Sequence, residues 1–210
     1  MNRKQFLVLA AALAFLVAAG AWVMVVQRSA WRSADARIGQ RLVAALTIGE
    51  VAEIVIREPG AALTLKKAAE GWRVGQPEEP PANVERIGNL LLKLQEIKIV
   101  QTEAVPESLR AALQLREPKE AQEPGVGTVL ELKDGGGKVL ARLLLGKKLL
   151  KEGTGAAGGT PAGRYVLTGA DQATAAIVSD PLLQVDAKPD AWIMREQAPA
   201  ESAKPEANKS

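Results

Sequence analysis

The stretch TVLELKDGGGKVLARLLLG, residues 128–146, carries the clearest sheet signal in this sequence. Two apolar runs, residues 128–132 and 139–145, flank the turn sequence Asp-Gly-Gly-Gly at 134–137. Apolar runs joined by a glycine-rich turn are typical of a β-hairpin, because glycine accepts the backbone angles that a tight turn requires. We therefore predict a hairpin of these two strands, ending at Gly146.

The residues before this hairpin predict more strands. Residues 51–56 and 63–66 flank the turn Pro59-Gly60, and residues 72–74 place Trp72 and Val74 on one face. Three further strands are expected after the helix described next, at residues 97–102, 164–167 and 175–178.

One amphipathic helix stands out between these strands. Asn83 is a suitable N-cap, and apolar residues follow at helical spacing: Val84, Ile87, Leu91 and Leu94. A short helix is expected after Pro106, and another helical turn after Asp180. The sequence thus predicts the same order of elements twice, with hairpins followed by a helix each time. The fold class expected is α+β, with two β-hairpin-plus-helix units at about residues 50–115 and 127–195 that resemble a degenerate repeat.

The N-terminus predicts a membrane helix. Residues 6–26 carry no charge, and a helix of this length crosses a bilayer. The alternative is a signal peptide cleaved near Ala21, but the apolar run continues beyond that residue. The expected organisation is a signal anchor at 1–27, a stalk at 28–49, one α+β domain at 50–195 and a disordered tail at 196–210, with the C-terminal domain exported.

The distribution of charged residues along the chain predicts the lipid bilayer as a partner and predicts no binding to nucleic acid. Residues 1–41 hold six of the 27 basic residues but only one of the 24 acidic ones, so the remainder is slightly acidic. Aromatic residues make up only 3% of the chain, which provides few stacking platforms for bases or sugars.

The composition also restricts catalysis. The sequence contains no cysteine and no histidine, which removes thiolate chemistry, imidazole acid-base catalysis and the commonest metal ligands. Residues 153–158 match G-x-G-x-x-G but lack the following helix, and residues 145–148 only partly match a phosphate-binding loop. Glu131 and Asp134 are better explained as a solvated strand residue and a turn residue than as an acid-base pair. We predict no catalytic residue, no cofactor and no metal site.

Large aromatic side chains are the remaining candidates for a binding surface. Trp72, Tyr165 and Trp192 could form an interaction face, although large side chains in a core with few aromatics more often serve packing.

The order of features resembles the DUF4340 family. The resemblance covers residues 50–193 and rests on these elements: the Pro59-Gly60 turn, Gly71-Trp72-x-Val74, the Asn83-led helix, Leu115-x-x-Pro118, the hairpin ending in Gly146, Tyr165-Val166 and Trp192. Leu113-Gln114 stands where the family has an aromatic-Gly pair and a tight turn. The resemblance implies a bacterial, membrane-anchored domain of no established activity, linked with ABC-type export and gliding-motility components.

The expected protein is therefore a non-enzymatic, single-pass protein of the bacterial inner membrane, whose periplasmic domain is an interaction or scaffold module for an ABC-type transporter. Its sheet edges or the Trp72 face would provide the contact surface. The alternative is an exported accessory domain that binds a polymer or peptide ligand.

Overall fold

The computed structural model describes residues 13, 15–17, 20–22, 36–44, 46–75, 80–118, 124–151, 160–169 and 171–194. Eight β-strands are present in this part of the chain: β1 Glu53–Glu58, β2 Ala61–Ala68, β3 Gly71–Val74, β4 Ile99–Ala104, β5 Thr128–Lys133, β6 Val139–Lys151, β7 Thr160–Thr168 and β8 Asp171–Val178. Two α-helices with described bounds, α1 Val84–Glu96 and α2 Glu107–Arg110, and two 3-10 turns, Ile48–Glu50 and Pro189–Ala191, accompany them. Residues 13, 15–17, 20–22, 36 and 37 are also helical.

All eight strands form one sheet in the order β3-β2-β1-β5-β6-β7-β8-β4, and every neighbouring pair is antiparallel. The predicted α+β fold of two hairpin-plus-helix units is therefore wrong. Strand β1 pairs with β5 and strand β4 pairs with β8, so the strands of both halves join in a single sheet. Strand β4 is thus separated from β1, β2 and β3, the other strands of its half, by all four strands of the second half.

The predicted hairpin at residues 128–146 is confirmed as β5 and β6. Asp134 Oδ1 accepts hydrogen bonds from the backbone N–H groups of Gly136 and Lys138, each at 2.9 Å, and Gly137 has φ 83°. The prediction that Gly146 ends the second strand is wrong. Strand β6 passes through two register shifts and continues to Lys151, because β7 pairs along its further length.

The helix predicted from Asn83 is confirmed as α1. Asn83 Oδ1 accepts from the backbone N–H of Arg86 at 2.9 Å, as the N-cap residue should. The helix buries one stripe against the sheet: Ile87, Leu90, Leu91 and Leu94. These side chains join the strand residues of the sheet's inner face in the main core, including Ile54, Ile56, Leu130, Leu132, Leu143 and Leu145.

The outer face of the sheet is only partly covered. A second, smaller core packs Val105 and Leu115 on strand residues of this face: Val129, Leu144, Leu167 and Ala175. Gln114 has φ 54°, so the chain makes its tight turn here without glycine. A side chain at Gly146 would place its Cβ 2.6 Å from Leu113 O, so glycine is needed where this segment crosses β6.

The chain after β8, residues 180–194, lies along the end of the main core and is called the C-terminal strap. Asp180 Oδ1 accepts from Leu182 N at 2.7 Å, and the helical turn predicted here is a single hydrogen-bonded turn from Leu182 to Val185. At its far end Met194 N donates to Pro81 O at 3.0 Å. The strap thus connects the β8 end of the sheet to the region of β3.

The membrane predictions require correction. Most of residues 6–26 and all of residues 196–210 lie outside the described residues. Within the described part of the chain, no helix is both apolar enough and long enough to cross a bilayer, and on this finding the predicted single-pass inner-membrane localisation is wrong. Residues assigned to a stalk lie in the main core instead: Leu42, Val43 and Leu46 are buried, and Leu42 N donates to Ile97 O at 2.9 Å.

Candidate interaction surface

Trp192 is a packing residue. Its side chain is fully buried in the main core, and its indole N–H donates to Asp186 O at 2.7 Å. The guanidinium of Arg86 lies over the ring, 4.6 Å from its centroid. Trp192 therefore fixes the C-terminal strap to α1 and offers no surface to a partner.

The other two aromatic candidates lie on opposite faces of the sheet. Trp72 is half-buried against the main core on the inner face. Tyr165 packs against the second core on the outer face, and its hydroxyl donates to Glu103 Oε2 at 3.0 Å. Burial raises the pKa of Tyr165, and the hydrogen bond and negative charge of Glu103 raise it further. The structure does not bring Trp72, Tyr165 and Trp192 together on one face.

The two edge strands of the sheet, β3 and β4, differ in how far other segments of the chain cover them. At the β3 edge, Val74 N donates to Pro80 O at 2.9 Å and Ala82 N donates to Trp72 O at 2.8 Å. Ala82 in turn forms a bridge with Ile193 of the C-terminal strap. Two further segments of chain therefore cover the β3 edge, and it presents no open row of backbone groups in this region.

The β4 edge is covered only at its beginning. Ile99 N donates to Gln40 O at 2.9 Å, and Gly39 N donates to Ile99 O at 2.8 Å. Among the described residues no segment pairs with the outer side of residues 100–104. Val100 is 48% exposed, and Gln101 and Ala104 are also exposed. Within the described part of the chain, the backbone of these five residues is thus unpaired along this edge.

The direction of the backbone groups on β4 follows from its pairing with β8. Val105 N donates to Ala173 O at 2.8 Å, next to the aligned pair Ala104 and Thr174. In an antiparallel ladder the residues that bond to the neighbouring strand alternate with residues whose N–H and C=O point away. Thr102 and Ala104 therefore direct their backbone donors and acceptors outward.

Glu131 is held in an ion network on the outer face. Its side chain is 12% exposed, and Oε1 lies 2.7 Å from Arg57 Nη2 and 3.1 Å from Arg142 Nε. Lys133 is 4.0 Å from Oε2 and also pairs with Glu53 at 3.1 Å. Glu131 lies on a strand as expected, but it is enclosed by cations instead of being solvated, and these opposite charges on neighbouring strands stabilise the sheet.

Arg164 is a buried cation that the sequence reasoning missed. Its Nε donates to Gly146 O at 2.8 Å, and its Nη atoms lie 3.4 Å from Leu145 O and Pro181 O. Burial lowers its pKa to about 10, partly opposed by the negative charge of Glu58. Alternation with the inward Val166 could have indicated that Arg164 also points inward. Its bonds to β6 and the strap give it a structural role.

The described residues contain no group of three side chains suited to hold a metal ion. Residues 145–148, which partly match a phosphate-binding loop, lie within strand β6, while the G-x-G-x-x-G segment at 153–158 lies outside the described residues. A cleft of about 690 Å³ lies beside α1, but the ion pair of Lys93 and Asp180 at 2.9 Å lies in its lining. None of the three aromatic candidates lines it.

Comparisons with known proteins give no match, whether to protein-family models, to curated proteins or to solved structures. The resemblance to DUF4340 proteins therefore rests on the sequence features alone.

Proposed function

We propose that this chain is a non-enzymatic interaction domain that binds a partner protein by adding one of the partner's extended segments to the open edge of β4. The observation that supports this is the asymmetry of the sheet edges. The β3 edge is covered by residues 80–82 and the C-terminal strap, whereas residues 100–104 keep outward backbone groups without a described partner.

The composition of β4 suits strand addition. Strand edges that must avoid other chains usually carry lysine, proline or charged side chains that point into the path of an approaching strand. Residues 100–102 are Val, Gln and Thr, which have none of these features. Backbone hydrogen bonds would provide affinity, and side-chain contacts with Val100 and Thr102 would provide selectivity.

A scaffold function also agrees with the chemistry of the described side chains. Glu131, whose side chain is 12% exposed, is ion-paired with Arg57 and Arg142, which occupy its carboxylate in place of a substrate. The resemblance to DUF4340 proteins makes a component of an ABC-type transporter the first partner to test.

The test is site-specific photo-crosslinking in the cells that express the full chain. A photoreactive residue replaces Val100 on the β4 edge or, as the matched control, Val139 at the start of β6; each valine is 48% exposed. We expect Val100 to give a defined adduct with a partner protein that Val139 does not give. Mass spectrometry identifies the adduct.

Thr102→Pro provides the second arm of the experiment. The substitution removes a backbone N–H that points away from β8, so the fold should persist, while an added strand loses a hydrogen bond and meets the proline ring. The Val100 adduct should then disappear while far-UV circular dichroism stays unchanged. If Val100 and Val139 give the same adducts, or Thr102→Pro leaves the adduct intact, the β4 edge is not the interaction surface.

A further inference from the structure

A second surface is formed where the central strands β6 and β7 extend beyond the ends of their neighbours. Strand β5 pairs with β6 only as far as Leu145, and β8 pairs with β7 only as far as Arg164. Residues 147–151 and 160–163, called the arm, extend beyond both neighbours and pair with each other, from Leu149 with Gly163 to Lys151 with Thr160. The arm is thus a two-stranded ribbon that leaves the main sheet.

The arm is basic, and no acidic residue in the described part of the chain pairs with its charges. Strands β6 and β7 contain five basic residues and no acidic residue. Three of the five lie in the arm and are exposed: Lys147, Lys148 and Lys151. None of these lysines forms an ion pair with a described acidic residue. On the outer face, by contrast, Arg57 and Arg142 are both paired with Glu131. The arm therefore presents a local positive field that the rest of the described chain does not neutralise.

An apolar side chain lies among these lysines. Leu150 is 61% exposed, although it stands in a strand and next to the half-buried Leu149. Among the described residues no strand pairs with the β6 edge of the arm beyond Lys147, whose N–H donates to Leu113 O at 2.8 Å. Lysines, an exposed leucine and open backbone groups thus occur together within five residues.

We infer that the arm binds an acidic, extended polypeptide segment of a partner, separately from the β4 edge. Carboxylates would pair with the three lysines, an apolar side chain would cover Leu150, and backbone groups would pair along the β6 edge. A peptide supplies all three kinds of contact. Nucleic acid fits less well, because the described arm has no aromatic side chain for bases to stack on. A lipid surface fits less well, because one leucine provides little apolar area for insertion.

The test measures binding of a fluorescent peptide of about eight residues, alternating Glu and Val, to the full-length protein by fluorescence polarisation. A Lys-Val peptide of the same length is the control probe. Charge reversal of Lys147, Lys148 and Lys151 to Glu should weaken Glu-Val binding by about tenfold or more, since three attractive pairs become repulsive. The matched variant reverses three exposed lysines elsewhere, Lys67, Lys138 and Lys188, and should change affinity by less than about twofold because it alters only the net charge.

Leu150→Ser tests the apolar contact without a change of charge. It should weaken binding of the Glu-Val peptide and leave binding of a Glu-only peptide unchanged. The Glu-Val peptide methylated on alternate backbone nitrogens should bind more weakly than the unmodified one, because it cannot complete a ladder.

Three results would overturn the inference. The first is equal binding of the Glu-Val and Lys-Val peptides by the wild-type protein. The second is an equal loss of binding in both triple variants, which would show an effect of net charge. The third is tighter, arm-dependent binding of single-stranded oligothymidylate or of vesicles containing phosphatidylglycerol, which would assign the arm to nucleic acid or lipid. Since Thr102→Pro lies outside the arm, it should leave peptide binding unchanged, so failure of the two proposals can be told apart.

Discussion

Replacement of Trp192 with alanine tests whether the C-terminal strap is an integral part of the fold. Trp192 is the largest of the fully buried side chains. Truncation of a buried tryptophan costs about 3–5 kcal/mol of unfolding free energy, through lost burial and the cavity that remains. Domains of this size are stable by about 5–15 kcal/mol, so the substitution removes a large fraction of the total.

Milder substitutions measure how much of this unfolding free energy comes from each contact of Trp192. The indole N–H bond to Asp186 O, at 2.7 Å, is expected to contribute about 0.5–1.5 kcal/mol, and Trp192→Phe removes it while keeping an aromatic ring. The Arg86 guanidinium over the ring is expected to contribute about 0.5–2 kcal/mol, measured as the coupling in a cycle of Arg86→Met and Trp192→Leu, since leucine has no π face.

Urea unfolding of the full-length protein, followed by far-UV circular dichroism, is the assay. With an m-value of about 2 kcal/mol/M, Trp192→Ala should lower the midpoint by about 2 M. The control is Trp72→Ala: this tryptophan is half-buried, so its loss should cost clearly less. A midpoint for Trp192→Ala within about 0.3 M of wild type, or equal to that of Trp72→Ala, would refute the placement of the strap in the core.

Other predictions follow from single positions. Gly146→Ala should destabilise the protein by about 1–3 kcal/mol, because the new Cβ would lie 2.6 Å from a carbonyl oxygen. Gly88 lies inside α1 with open space around it, so Gly88→Ala should stabilise the protein by about 0.5–1 kcal/mol. Urea unfolding measures both changes. Tyr165 is the chain's one tyrosine, so absorbance at 295 nm should report its pKa above that of the urea-unfolded chain, and Glu103→Gln should lower it. Because the folded pKa of Tyr165 is the higher one, its contribution to stability is complete below pH about 10 and is lost as pH rises beyond that; the alkaline decline should be smaller in Tyr165→Phe. Arg164→Lys should cost about 1–3 kcal/mol, since an ammonium cannot reproduce the planar set of donors to buried carbonyls, and Arg164→Met should separate that loss from the desolvation cost of the charge.

Local structure was the predictable part of this fold. The turn at 134–137, the cap at Asn83 and the apolar stripe of α1 depend on residues within a few positions of each other, and each appears where the sequence placed it. Turn chemistry and helix periodicity act over this short range, so no knowledge of the rest of the chain is needed.

Strand order was not predictable from the same signals. The hairpin pattern of each half suggested separate units, but Ile54 faces Leu132 across β1 and β5, and Gln101 faces Ile177 across β4 and β8. Alternation reveals which residues of a strand share a face, and says nothing about which strand lies beside it. The open edge of β4 could not be identified for the same reason.

The sequence also did not reveal where the three aromatic candidates lie in the fold. Sequence selects Trp72, Tyr165 and Trp192 by size and rarity, but the side of the sheet that each occupies depends on register and on the path of the C-terminal strap. Packing was the better interpretation for Trp192, which is completely buried. An open backbone edge such as residues 100–104, which we propose as a binding surface, has no comparable side-chain signature.

Tyr165 nevertheless affects the open edge of β4, because its hydroxyl controls the position of the Glu103 carboxylate. Glu103 is the one charged residue of β4, and such a charge could protect an edge against strand addition if it extended towards an approaching chain. Its carboxylate instead accepts the Tyr165 hydroxyl at 3.0 Å on the outer face. Since Tyr165 belongs to β7, on the far side of β8 from β4, the bond holds this carboxylate over the sheet and away from the open edge. Loss of the hydroxyl in Tyr165→Phe would free the charge, so the Val100 crosslink should weaken even though Tyr165 itself does not touch the partner.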